Sequence, residues 1–150
     1  MEYFKFFINA LSQFKEDKTV NDSKALKRLE ALFDDGSFTE IDAYAKSADG
    51  SVEVVAGFGT VNECAVYAFS QDVTVDSGAV SVAQCAKIKK IYELALKTGC
   101  PVIGVYDSNG VKLTEGFEVM NAYGDLVKAS TSMSGVCPQI SIVAGSCLGT

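Results

Sequence analysis

Two short apolar segments constrain the fold more than any other feature of this chain. The first, Pro101-Val102-Ile103-Gly104-Val105-Tyr106, is a continuous apolar run. The second, Pro138-Gln139-Ile140-Ser141-Ile142-Val143-Ala144, reads as a strand of the same kind. Buried strands look like this, and they belong to parallel sheets covered by helices. Each is followed by a loop of small and polar residues: Asp107-Ser108-Asn109-Gly110, and Gly145-Ser146-Cys147-Leu148-Gly149-Thr150. Between them Glu115 to Ala129 reads as a helix. The order is strand, loop, helix, strand, loop, and α/β folds place ligands at loops that leave the carboxyl ends of strands.

The residues before these segments change period twice. Phe4, Phe7, Ile8, Leu11 and Phe14 lie at helical spacing, as do Ala25, Leu26, Leu29, Leu32 and Phe33 after the capping residues Asn21-Asp22-Ser23. Their aromatic-rich stripes predict helices that cover a core or a subunit contact. Ser37–Ala45, Val52–Val61 and Cys64–Val75 are rich in β-branched and aromatic residues and predict an antiparallel meander. Its turns fall at Ala48-Asp49-Gly50-Ser51 and Asn62-Glu63. Ser81 with Gln84 fits a capping box, and Cys85, Ile88, Ile91, Tyr92 and Ala95 line the next helix until Gly99 and Pro101 end it.

Composition limits the chemistry. The 150 residues suit one domain, and 48% hydrophobic content with two prolines supports a real core. A net charge of -6 excludes a non-specific nucleic-acid binder, which needs basic residues to displace phosphate counterions. With no histidine, neither a Ser-His-Asp nor a Cys-His nucleophile can be assembled, nor an imidazole zinc site. The five cysteines, Cys64, Cys85, Cys100, Cys137 and Cys147, are odd in number and irregular in spacing, so neither a disulfide framework nor a metal site is expected; most sit among apolar neighbours and read as small buried thiols. The apolar start lacks a basic n-region, and no run approaches the ~20 residues of a membrane span, which predicts a cytoplasmic protein. What remains available is backbone amides, carboxylates, hydroxyls or a bound cofactor.

Several motifs in register then resemble one family. They are Leu32-Phe33-Asp34-Asp35-Gly36-Ser37-Phe38-Thr39-Glu40, Gly57-Phe58-Gly59-Thr60-Val61, and Phe69-Ser70-Gln71-Asp72-Val73-Thr74-Val75. Ala86-Lys87-Ile88 with Gly99-Cys100-Pro101-Val102-Ile103, Asp107-Ser108-Asn109-Gly110 with Glu115-Gly116, and Ser134 to Ser141 complete the series. From about Arg28 to Thr150 the chain resembles the start of the carboxyltransferase subunit of biotin-dependent acyl-CoA carboxylases and decarboxylases, of the propionyl-CoA carboxylase β and methylmalonyl-CoA decarboxylase α type.

The resemblance implies an α/β, crotonase-like ββα spiral, partial, with residues 1–35 as a helical lead-in and 36–150 as its start. It implies transfer of carboxylate between biotin, borne on a carrier protein, and the α-carbon of an acyl-CoA. Paired backbone N–H groups would stabilise the thioester enolate, and one such donor is typically worth about 3–4 kcal/mol. Gly149 matches the first glycine of the family's Gly-Gly oxyanion pair and Thr150 stands at the second. Ser108, Asn109, Gly110 and Val111 are the implied acyl-CoA-binding loop. Expected partners are biotin carboxyl carrier protein, biotin carboxylase or membrane decarboxylase subunits, and further copies of the chain. The isolated chain is expected to be inactive, since family sites form between subunits. Asn109 and Thr150 replace glycines, Lys112 an arginine, Thr114 a glutamine and Ser146 a proline. These departures motivate the alternative of a non-catalytic acyl-CoA-binding or assembly module; a purely oligomerising structural domain is a third reading.

Plainer roles are expected at the remaining polar positions. Asp107 is expected to close its loop by an Asx-type turn. Glu115 is expected in the first turn of its own helix, as a partner of the helix dipole. Gln71-Asp72 reads as a hydrogen-bonded strand terminus, and Lys87, Lys89, Lys90 and Lys97 as a solvated helix face.

Overall fold

A computed structural model of the chain describes residues 23–46 and 50–148. The first helical stripe, Phe4 to Phe14, and the residues Gly149 and Thr150 lie outside them. Helix α1 spans Lys24–Leu32, with Ser23 Oγ accepting the Leu26 N–H at 3.1 Å. That satisfies one of the orphan donors at its start. Strands β1 (Thr39–Glu40), β2 (Val54–Val61) and β3 (Cys64–Gln71) come next as the expected antiparallel meander. Asn62 and Glu63 join the last two at φ of 49° and 65°, as a two-residue hairpin turn requires. The Asp34 carboxylate accepts from both of their amides and from Thr60 Oγ1. Those bonds, the Glu63 amide foremost, hold it below the usual carboxylate range.

Two strands are shorter than their composition suggests. The Ser37–Ala45 segment contributes only Thr39–Glu40 to the sheet, because the chain turns at Asp42, whose φ is +52°. The third strand ends at Gln71 because Asp72 starts an Asx turn, its Oδ1 accepting from Thr74 N and Oγ1.

Helix α2 (Val82–Thr98) crosses from β3 to β4 (Val102–Ser108), and α3 (Gly116–Ser132) crosses from β4 to β5 (Gln139–Cys147). The sheet order is β1-β2-β3-β4-β5, with β3, β4 and β5 parallel. Gly99, at φ +73°, ends α2 in the left-handed cap that a residue with a side chain would strain to adopt. One core lies on each face of the sheet. Val54, Ala56, Phe69 and Val102 pack under Ile88, Ile91, Tyr92 and Ala95 of α2, while Val55, Val66, Ala68, Ile103 and Val105 pack under Ala25, Leu29 and Phe33.

Three expectations need correction. The strand near the C-terminus is not buried: all nine residues of β5 are exposed, because among the described residues it pairs with β4 on one side and no helix packs on either of its faces. Lys87 does not belong to the solvated face. It is buried beside β2, its Nζ donating to Val54 O at 2.9 Å and lying 3.6 Å from Glu40 Oε1. Lastly, Cys64 and Cys147 are exposed and Cys100 is half-buried; only Cys85 and Cys137 are buried thiols, and burial pushes Cys85 up to about 12.

Candidate functional site

The parallel strands bring their carboxyl ends to one edge of the sheet, and a polar network occupies that edge. Both predicted loops begin later than their composition implies, since Asp107 and Ser108 still belong to β4 and Gly145 to Cys147 belong to β5. Beyond them the two loops touch. Leu148 N donates to Ser108 O at 3.1 Å, and a Cβ built on Gly110 would lie 3.5 Å from Leu148 O.

The predicted loop residues have different placements. Ser108 is fully buried, and its Oγ accepts the Gly110 N–H at 3.1 Å. It shapes the loop from beneath. Asn109 is exposed at the turn, and among the positive-φ residues only Gly110, at +104°, belongs to this loop. Asparagine in place of glycine at 109 therefore carries no backbone strain here. Gly110 and Val111 are half-buried, tied to Val80 by a parallel bridge in which Val80 N donates to Gly110 O and Lys112 N to Val80 O.

Asp107 does not make the expected Asx turn. Its side chain faces α1, where Arg28 Nη2 meets Oδ2 at 2.7 Å, and its own N–H donates to Gln71 Oε1 at 3.1 Å. Gln71 Nε2 in turn donates to Gln84 Oε1 at 2.9 Å. The hydrogen-bonded terminus foreseen for Gln71 is thus a buried amide relay between β3, β4 and α2. That relay leaves the capping box half made: Ser81 Oγ accepts the Gln84 N–H at 3.1 Å, but the Gln84 side chain is committed to Gln71.

A second cluster adjoins this relay at the start of α2, joined to it by Gln84 Nε2, which donates to Glu53 O at 3.5 Å. Glu53 is buried and receives the Ser81 hydroxyl and Lys112 Nζ, the latter at 3.3 Å, while Lys112 also pairs with Asp76 at 2.5 Å. Glu115 does not serve its own helix; its Oε2 accepts the Val82 N–H at 2.7 Å and caps α2 instead. A cavity of about 220 Å³ opens beneath α3, lined by Tyr92, Tyr106, Tyr123 and Leu126 with Gln71 at its floor. Burial raises the pKa of Tyr92 and of Tyr123 above the ordinary phenol value.

Reading the sequence missed Arg28, Glu53 and the Gln71–Gln84 relay. Arg28 stands at the border of the apolar stripe with Lys24 and Lys27 close by, so it reads as one more solvated cation. Its partner lies 79 residues away, which periodicity cannot reveal. No helix among the described residues is long and apolar enough to cross a membrane.

The chain is 39% identical over 138 residues to methylmalonyl-CoA decarboxylase subunit α of Veillonella parvula, a match that takes in 83% of the chain and 26% of that protein. It is 40% identical over 138 residues to the propionyl-CoA carboxylase β chain of Saccharopolyspora erythraea, taking in 83% and 25%. The chain thus spans about a quarter of the length of these relatives. Among solved structures, the transcarboxylase 12S hexamer with methylmalonyl-coenzyme A and methylmalonic acid bound superposes with a TM-score of 0.86 at 33% identity, over 91% of this chain and 32% of that one. A Pseudomonas malonate decarboxylase hetero-tetramer shares the fold, with a TM-score of 0.74 over 81% of this chain and 50% of that one, at 24% identity. The fold is the crotonase-like α/β fold of the carboxyltransferases. A profile of the carboxyl transferase domain matches residues 18–150, and the chain belongs to that family.

Proposed function

We propose that this chain is the opening part of the first crotonase-like domain of a biotin-dependent acyl-CoA carboxyltransferase, with residues 1–35 as its helical lead-in. Its part in the reaction is to hold the acyl-CoA thioester and stabilise the enolate. The observation that carries this reading is the contact between the Ser108–Gly110 loop and Leu148, the residue before Gly149. It sets a turn with one exposed residue, Asn109, beside the segment that would carry the oxyanion donors.

In this reading the thioester oxygen receives the backbone N–H groups of Gly149 and Thr150. As the carboxylate leaves the α-carbon, the electron pair it leaves behind moves onto that oxygen, where fixed amide dipoles stabilise it without any proton transfer. This suits a chain with no histidine. Asn109, Gly110 and Val111 line the approach, and Ser108 holds their geometry from below. Biotin on a carrier protein would be the co-substrate, taking up the carboxylate in this direction and, as carboxybiotin, giving it back in the reverse one. Arg28, Asp107, Gln71 and Gln84 are engaged with one another, so none of them is assigned to biotin, and the residues named here serve the thioester alone. Assembly with a carrier, with biotin carboxylase or membrane decarboxylase subunits, and with further copies of the chain belongs to the same proposal, as does a cytoplasmic site of action.

The test is decarboxylation of malonyl-CoA by the natural protein. Gly149→Pro removes one N–H donor and is expected to abolish turnover; near-normal turnover overturns the assignment. A second reading, a non-catalytic acyl-CoA-binding or assembly module, draws on Lys112, which stands where the family has arginine and is drawn inward to Glu53 and Asp76. Under it, the protein binds acyl-CoA without turnover, and glycine at both 109 and 150 raises the rate sharply.

A further inference from the structure

Strands β4 and β5 keep one register from Val102↔Gln139 to Tyr106↔Val143, then resume at Ser108↔Cys147. One residue of β4, Asp107, therefore stands opposite three of β5, namely Ala144, Gly145 and Ser146. Such a bulge bends its strand and re-aims the residues beyond it. The Asp107 carboxylate lies in the bend: a Cβ on Gly145 would overlap its Oδ1 and come within 2.8 Å of Cγ. The carboxylate itself has no freedom to move away. Arg28 Nη2 grips Oδ2 at 2.7 Å from α1 while Arg28 Nη1 reaches Gln71 O at 3.4 Å, and the Asp107 N–H is held by Gln71 Oε1. Asp107 is 4% exposed, so this is an enclosed wedge rather than a surface pair.

We propose that Asp107, clamped by Arg28, is a positioning residue that sets the β5 bulge and so aims the segment after Cys147. The proposal rests on the reading above, in which that segment carries the thioester's oxyanion donors. Directly past the bulge, Leu148 N rejoins Ser108 O, and the next two residues are Gly149 and Thr150. Donors of this kind act only when fixed where charge develops, so a displacement of about 1 Å is costly to the rate. Losing the wedge therefore lowers kcat more than it weakens acyl-CoA binding.

The experiment uses the natural protein in its own assembly, with amide hydrogen exchange and malonyl-CoA decarboxylation measured on the same preparations. Asp107→Ala is expected to speed exchange at Ser146 to Leu148 at least tenfold while α2 amides around Ile88 stay protected. It is expected to lower kcat at least tenfold with KM within threefold. Asp107→Asn keeps the bulk but loses the ion pair, and falls between alanine and the native residue. Should Asp107→Ala not accumulate as folded protein, Arg28→Lys carries the test in the same direction with a smaller effect, because lysine gives one point charge in place of the two-pronged grip. Unchanged exchange at 146–148 with loosened α1 amides overturns the proposal, since the pair would then merely dock α1. Faster exchange with unchanged kcat overturns it as well. If the native protein neither turns over nor binds acyl-CoA, the functional reading fails, and the exchange result alone decides whether Asp107 sets the bulge.

Discussion

Neighbouring parallel strands of this sheet, β4 and β5, are built from similar residues and live in opposite surroundings. Ile103 and Val105 of β4 are 6% and 4% exposed; their register partners on β5, Ile140 and Ile142, are 49% and 39% exposed. The difference is one of neighbours. β4 has a strand on either side, with α1 over one face and α2 and α3 over the other, whereas β5 packs on β4 and on little else among the described residues. An apolar run in a sequence thus records the surroundings a strand is suited to. Its position in the sheet decides how much of that covering it receives.

Register partners make this comparison breakable. Ile103→Ala is expected to cost about 2–5 kcal/mol in urea unfolding, and Ile140→Ala under about 1 kcal/mol, because a cavity forms only where neighbours already surround the side chain. In the intact natural assembly the β5 substitution is expected to approach the cost of the β4 one; equal, small costs in both settings would break the claim that β5 is suited to cover. Next in size is Gly104→Ala, whose new Cβ would lie 2.7 Å from Phe69 Cζ, expected to cost about 1–3 kcal/mol. Its partner Ser141, exposed on β5, tolerates alanine within about 0.5 kcal/mol.

The same contrast separates two lysines of α2. Burial outweighs the pull of Glu40 and keeps Lys87 below its ordinary 10.5, while Lys89 pairs with Asp125 at the surface. Fewer protons are then bound in the native than in the unfolded state between the lowered value and 10.5, so this group makes stability rise with pH across that window. Lys87→Met is expected to remove the rise, seen as the difference between urea midpoints of the two proteins from about pH 8 to about 10.5; Lys89→Met is expected to leave it intact. One further small effect is a gain. Glu63, at φ +65° in the β2–β3 turn, is expected to stabilise the hairpin by about 0.5–1 kcal/mol when replaced by glycine, measured as a raised Tm.

Local chemistry was legible wherever one or two residues decide the backbone. Ser23 and Ser81 cap their helices, Asn62-Glu63 turns the hairpin and Gly99 stops α2, all as their types require. The residue pattern placed a loop after β4, where Ser108 O receives the Leu148 N–H, but Gly145 to Cys147 of the second expected loop extend β5. The hidden part depends on partners remote in sequence. Lys87 sits among other lysines and reads as solvated until β1 and β2 close over it. Asp107 precedes Ser-Asn-Gly and reads as a turn former until Arg28 arrives from α1. Edge or centre is likewise decided by sheet order, which no run of residues encodes within itself.

The cap on α2 has a consequence for ligands. The amino end of a helix attracts anions through its unpaired amides and its dipole. Here the amides of Val82 and Gln84 are already taken, by Glu115 and Ser81. The protein thus carries its own resident anion at this pole. A phosphate of a nucleotide-bearing substrate that drifted there would meet a carboxylate already in the berth. The anion site that helix geometry offers at the start of α2 is thus filled from within, by the chain's own Glu115.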